Sequence, residues 1–157
     1  RLIVDANEGW QPEMLDNLLP ALAELGVEMV EQPLPAACDE ALLGREFAIP
    51  VCADESCHTR ADLDRLQERY PMINVKLDKC GGLSEALALV REARARGFRV
   101  MVGCMVGSSL SMAPAVLLTP FAEYVDLDGP LLLARDCQPG LSYDGTTVHP
   151  PEPTLWG

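Results

Sequence analysis

Basic residues are scarce in this chain: 12 lysines and arginines stand against 24 aspartates and glutamates, for a formal net charge of −12. A surface of that sign argues against nucleic acid or anionic membrane as a partner. Long apolar runs are missing too, so no segment is expected to span a bilayer. The start, Arg1-Leu-Ile-Val-Asp5, lacks the basic segment, apolar stretch and cleavage site of a signal peptide. None of the six cysteines (Cys38, Cys52, Cys57, Cys80, Cys104, Cys137) forms a C-x-x-C pair, and three lie in or beside buried-looking segments. Free thiols in a cytoplasmic protein are the expectation, in place of a zinc site or a disulfide framework. No G-x-G-x-x-G or P-loop is present. Ser56, Ser108 and Ser109 have no G-x-S-x-G around them, which argues against a serine hydrolase. His58 and His149 have no partner signature and read as surface or structural residues.

What is present is a repeated strand–loop–helix unit in 157 residues, enough for one globular domain with a sizeable core. Short apolar runs predict strands over residues 1–4, 27–30, 49–53, 72–75, 98–102 and 122–125. Between them, leucines and alanines at helical spacing predict helices over 13–25, 60–69, 85–96 and 109–118, with a short one near 39–43. Gly26 and Gly97 are plausible helix stops, Thr59 and Ser84 plausible caps, and Pro114 blurs the last helix. Asp144-Gly145 suggests a small hairpin over 140–148, and the proline-rich tail 150–157 reads as extended. Alternation of this kind means α/β with a parallel sheet. Two architectures fit: an open six-stranded sheet, or the later part of a (β/α)8 barrel, which needs eight strands and about 250 residues. The abrupt start favours the second.

The strand ends carry the chemistry. Asp5, Glu31 and Asp54 end three successive apolar runs. Singly, each reads as well as a loop cap; together they place hard oxygen ligands at one mouth of the sheet, as octahedral Mg²⁺ prefers, with Mn²⁺ the alternative. Asn7 and Glu55 stand close enough in sequence to orient those ligands, though Glu55 also reads as solvent-facing. The fourth run ends in Lys76, whose amine beside a cation would have its pKa pushed down, as a general base needs. Lys79 and Asp78 pair with each other or with the site. Asp126 and Asp128, two apart after the last strand, suit a substrate ammonium or merely a polar loop. Cys104 and Met105 follow the preceding strand and are candidates to line the pocket. Metal plus lysine at one mouth points to proton abstraction next to a carboxylate.

Taken in order, Asp-x-Asn, Glu-Gln-Pro, Asp-Glu-Ser, Lys-x-Asp-Lys-x-Gly-Gly and Asp-x-Asp-Gly-Pro resemble the enolase superfamily, muconate-lactonizing subgroup. The similarity is greatest to bacterial dipeptide epimerases of the L-Ala-D/L-Glu type and covers nearly the whole chain. It implies a TIM-like barrel of which residues 1–128 supply about strands 3 to 8. Residues 129–157 would form a C-terminal hairpin and tail packing on the barrel or on a capping domain. It also implies Mg²⁺ on Asp5, Glu31 and Asp54, with Lys76 as the base on one face of a metal-stabilised enolate. Asp126 and Asp128 would hold the dipeptide's ammonium. The N-terminal cap, the first two strands and the opposing Lys-x-Lys base are expected outside this chain. A cytoplasmic homo-oligomer in murein peptide metabolism would follow. Other members of the subgroup, such as cycloisomerases, o-succinylbenzoate synthases and N-acylamino acid racemases, would not need the Asp126–Asp128 pair. An inactive metal-binding fragment stays open as well.

Overall fold

The structure, a computed structural model, describes residues 1–156; Gly157, the end of the expected tail, lies outside the described residues. Six strands form one parallel sheet in chain order: β1 (Leu2–Asp5), β2 (Val27–Glu31), β3 (Val51–Ala53), β4 (Met72–Val75), β5 (Arg99–Val102) and β6 (Tyr124–Val125). Among the described residues each pairs only with its sequence neighbours, so β1 and β6 are the edges of this sheet. The connections carry α1 (Leu15–Glu24), α2 (Leu63–Leu66), α3 (Leu77–Cys80), α4 (Leu83–Ala95) and α5 (Ser109–Val116). The α/β architecture expected from the alternation is the one observed.

Side chains alternate across the strands, and the two faces have different coverings. Val30, Val51, Ile73, Val75, Val100 and Val102 face outward into a large core closed by leucines of the helices, among them Leu19, Leu63, Leu66 and Leu89. The inner face carries a smaller apolar layer, Met29, Cys52, Met72, Met101 and Tyr124, with Ile3 against it. The sheet is curled: the Arg1 guanidinium, at the start of β1, donates to the carbonyl of Glu123 beside β6 at 3.0 Å. The same guanidinium lies 4.2 Å over the Tyr124 ring.

Boundaries differ from expectation for local reasons. β3 begins at Val51 because Pro50, with no N–H, contributes only its carbonyl, accepting from Val30 at 3.1 Å. Phe98 is drawn off β5 into the end of α4, donating to Ala93 O at 3.0 Å. Ala122 is held by a turn from Thr119, which shortens β6. The helix expected over 60–69 is a 3-10 turn at Arg60–Asp62 followed by the single turn of α2. Asp62 does cap it with Thr59, accepting from the Thr59 N–H at 2.7 Å. The short helix expected near 39–43 is a 3-10 segment at Ala36–Leu42.

Ser84 is not a cap. Gly81 and Gly82 both take positive φ and turn the chain directly from α3 into α4, so Gly82 precedes the first helical residue. α1 ends as expected, with Gly26 at φ +80° just past it. Near the C-terminus, β7 (Tyr143–Asp144) and β8 (Thr147–Val148) form a two-stranded hairpin. Tyr143 Oη donates to Leu127 O at 2.8 Å, tying the hairpin to the loop after β6. The tail is not extended throughout: Pro153–Leu155 form a turn, closed by Leu155 N–H donating to Glu152 O. Among the described residues no helix is long and apolar enough to cross a membrane.

Candidate active site

Register brings the acids to one end of the sheet. Asp5 on β1 is paired with Glu31 on β2, and Glu31 with Cys52 on β3, which sets Asp54 just beyond it on the same inner side. Lys76 follows β4 and opens α3. Asp5, Glu31, Asp54 and Lys76 therefore end four consecutive strands at the C-terminal mouth, where α/β folds place their chemistry.

Each group is held by named partners. Asn7 donates to both Asp5 oxygens, from its side chain at 2.6 Å and its backbone at 2.8 Å. Asn74, on the inner side of β4, donates from Nδ2 to Glu31 Oε1 at 2.6 Å. Burial pushes the Glu31 carboxyl up to about 7; the charges of Asp54 and Asp5 add to the rise, and the Asn74 hydrogen bond opposes it. Asp54 has the reverse outcome. Burial works to raise its pKa, but the ammoniums of Lys79 and Lys76 outweigh it and hold it below the ordinary carboxylate value. Lys76 Nζ donates to Asp54 Oδ2 at 2.5 Å, and Lys79 Nζ to Asp54 Oδ1 and, at 2.7 Å, to its carbonyl. Lys79 thus pairs with the site and not with Asp78.

Without a cation at the mouth, the Lys76 pKa is raised. Burial does act to lower it, but the hydrogen bond and charge of Asp54, with the charges of Glu31 and Glu55, act more strongly the other way. In this arrangement Lys76 is an ammonium. In this ion-free arrangement, among the described residues no three His, Cys, Asp or Glu side chains form a group close enough to hold an ion. Asp54 is turned onto the two ammoniums of Lys76 and Lys79. The donor chemistry fits a hard divalent cation: oxygen donors on three adjacent strand ends, one of them pushed toward neutrality by burial and, to a lesser degree, by its acidic neighbours.

The remaining expected residues are spread around this mouth. Asp126 and Asp128 follow β6 and line a cleft of about 530 Å³ with Leu131, Tyr143 and the hairpin. Burial and the adjacent Asp128 raise the Asp126 pKa, while the Lys76 ammonium pulls it down. Cys104 is half-buried, and a Cβ at Gly129 would lie 3.2 Å from its sulfur. Met105 is 52% exposed. Glu55 Oε2 is buried with no hydrogen-bond partner among the described residues. His58 and His149 are exposed, and all six cysteines are free.

Sequence reasoning missed two positions. Asn74 was readable as a lone polar residue on a buried strand, in phase with Lys76 two residues on. Gln32 gave no such signal. It is fully buried and adopts φ +32°; among the described residues, Asn7 and Glu8 are the other non-glycine residues at positive φ, at +46° and +62°. All three lie at this mouth. A left-handed non-glycine residue costs about 1–3 kcal/mol and persists only where its surroundings over-determine it.

Comparison with known proteins agrees with this geometry. The family described as "Enolase C-terminal domain-like" matches residues 1–153. An N-acetyl-D-glutamate racemase from Pseudoalteromonas sp. is 52% identical over 157 residues, 100% of this chain and 50% of its own length. The L-Ala-D/L-Glu epimerase of Escherichia coli (strain K12) is 53% identical over 148 residues, 94% of this chain and 46% of its own. The chain thus spans about half the length of the curated relatives it matches. Among solved structures, an enolase family member from Agrobacterium tumefaciens with homology to dipeptide epimerases, with bound sodium and L-Ala-L-Glu, superposes with a TM-score of 0.97 at 53% identity. That match covers 100% of this chain and 48% of the other. A dipeptide epimerase from Methylococcus capsulatus, complexed with Mg and L-Arg-D-Lys, gives a TM-score of 0.88 at 34% identity, over 96% of this chain and 45% of the other. With strand order, mouth chemistry and near-complete coverage in agreement, the chain belongs to the enolase C-terminal domain-like family.

Proposed function

We propose that the protein to which this chain belongs is an isomerase that inverts the α-carbon of an N-acylated glutamate, with L-Ala-D/L-Glu dipeptides as its principal substrates. The observation that carries this reading is the sequence of strand ends: acid, acid, acid, lysine on consecutive strands, with the lysine turned inward onto Asp54. The two relatives' named substrates support it, because both are glutamates with an acylated nitrogen.

A proton α to a carboxylate is very weakly acidic, so its removal needs charge stabilisation at the carboxylate and a base at the carbon. Asp5, Glu31 and Asp54 would hold Mg²⁺, or alternatively Mn²⁺, which when bound supplies Lewis-acid stabilisation of the enolate. Asn7 fixes Asp5 and Asn74 fixes Glu31, so those ligands are oriented before anything binds. Lys76 Nζ carries the proton on one face. Its ammonium form is set by the 2.5 Å contact with Asp54, so it is poised to deliver a proton; it accepts one only when that contact opens. Lys79 supplies the second ammonium on Asp54 in the ion-free arrangement, which metal binding would displace together with that of Lys76. Inversion requires a second proton carrier on the opposite face, which the resemblance assigns to a Lys-x-Lys lysine outside these 157 residues. Asp126 and Asp128 would take the dipeptide's ammonium, and Cys104 and Met105 the wall beside it. A cytoplasmic setting and murein-derived dipeptides fit this chemistry.

The 52% identity to an N-acetyl-D-glutamate racemase favours one alternative reading: an acyl group without an ammonium. The Asp126–Asp128 pair discriminates. Proton exchange at the glutamate α-carbon in D₂O is expected to be faster with L-Ala-L-Glu than with N-acetyl-L-glutamate. Asp128→Asn should erase that preference. Faster exchange of N-acetylglutamate by the unmutated protein would overturn the dipeptide assignment and keep the isomerase.

A further inference from the structure

We propose that Gln32 is the positioning residue that sets the relative placement of Asp5, Glu31 and Asp54, an inference that rests on the metal-ligand reading above. Gln32 directly follows Glu31 and touches the loops that carry the other two acids. Its carbonyl accepts from the Glu8 N–H, in the loop after Asp5, at 2.8 Å, and its own N–H donates to Cys52 O on β3 at 2.8 Å. Its side-chain Oε1 accepts from the backbone N–H of Asp54 at 2.8 Å and of Ser56 at 3.1 Å. Both donors are obligatory, so the amide can sit only one way round. On the other side, Nε2 faces Leu34 O at 2.8 Å, Ser56 Oγ at 2.9 Å and Tyr70 Oη at 3.0 Å.

The network behind it is closed. Ser56 Oγ donates to Asp39 at 2.6 Å, and Asp39, fully buried, is paired with Arg65 and Arg69. One residue therefore joins three strand ends, its backbone reaching the loop after β1 and its side-chain amide the loop after β3, and the amide is itself braced from behind. Packing alone gives no reason for this. An apolar side chain of the same volume would fill the space but leave the Asp54 and Ser56 N–H groups without this acceptor. A left-handed residue whose carbonyl and side-chain oxygen are both spent on the loops that carry candidate ligands is what fixed ligand geometry requires.

The test measures Mn²⁺ binding to the full-length protein by calorimetry, beside thermal unfolding. Gln32→Met keeps the volume and removes the amide; it should weaken Mn²⁺ binding about ten- to a hundredfold. Leu89→Ala, a truncation in the outer core, should lower the melting temperature and leave Mn²⁺ affinity within about twofold. Unchanged affinity in Gln32→Met, or equal weakening in both variants, overturns the proposal. If Gln32→Met does not fold, hydrogen exchange on the unmutated protein decides. The Glu8, Asp54 and Ser56 amides should be protected and open together, and independent or unprotected exchange overturns the proposal. Failure of the unmutated protein to bind Mn²⁺ at all is a different result: it removes the metal reading on which the proposal rests.

Discussion

The two ends of the sheet's inner face both carry charge, under opposite conditions. At the N-terminal end, Arg1 Nε meets Glu28 at 2.7 Å and Arg99 meets Glu123, with side chains 38–53% exposed. The hydrogen bonds from those arginines lower the pKa of both glutamates. At the C-terminal end, Glu31 is buried without a cation of its own, and Asp54 has drawn in both lysines. Charge at the first end is matched pair by pair and screened by water, so it contributes little to stability. Charge at the second end is concentrated where water is excluded, and a divalent cation is the chemistry that would relieve it.

Substitutions can break this contrast. The largest effect is expected from Lys76→Ala, which should slow α-proton exchange on one face by about 10²–10⁴-fold while Mn²⁺ still binds. Deuterium incorporation in each epimer, measured by NMR, checks it; normal exchange removes Lys76 from the reaction. Next is Glu31→Gln. A carboxyl whose folded pKa of about 7 lies above its unfolded value near 4.5 loses stability as pH rises between the two. In ion-free protein, Glu31→Gln should therefore raise stability at pH 8 by roughly 2–3 kcal/mol and change little at pH 4. Urea unfolding at the two pH values measures this, and a destabilised variant at pH 8 would contradict the account.

Gly103→Ala sharpens the same end by a different route. A Cβ there would sit 2.6 Å from Asn74 Nδ2, forcing that amide off Glu31. Mn²⁺ affinity should fall about tenfold or more, with roughly 1–3 kcal/mol lost in stability. The smallest effect belongs to the N-terminal end. Glu123→Gln should destabilise by at most about 1 kcal/mol, and less at high salt. The same Glu→Gln change thus has opposite signs at the two ends.

Much of the fold was legible because parallel strands covered on both faces read as apolar runs, and all six were found this way. Their ends were less legible: Pro50, Phe98 and Ala122 are claimed by hydrogen bonds that no local pattern reveals. Placing the acids at one mouth needed only strand ends and parallel pairing. That Lys76 and Lys79 both turn onto Asp54 in the ion-free protein was not legible, because it depends on where Asp54 points, a tertiary fact. Gln32 escaped for the same reason, since its partners lie up to 38 positions away. Asn74 was within reach, two residues before Lys76 on a buried strand.

The most direct measurement is anomalous diffraction from crystals of the full-length protein soaked in Mn²⁺. The account predicts one peak bounded by oxygens of Asp5, Glu31 and Asp54 together, with the Lys76 and Lys79 contacts to Asp54 opened. A peak elsewhere, or Asp54 still bound to both ammoniums while Mn²⁺ occupies other ligands, would contradict it.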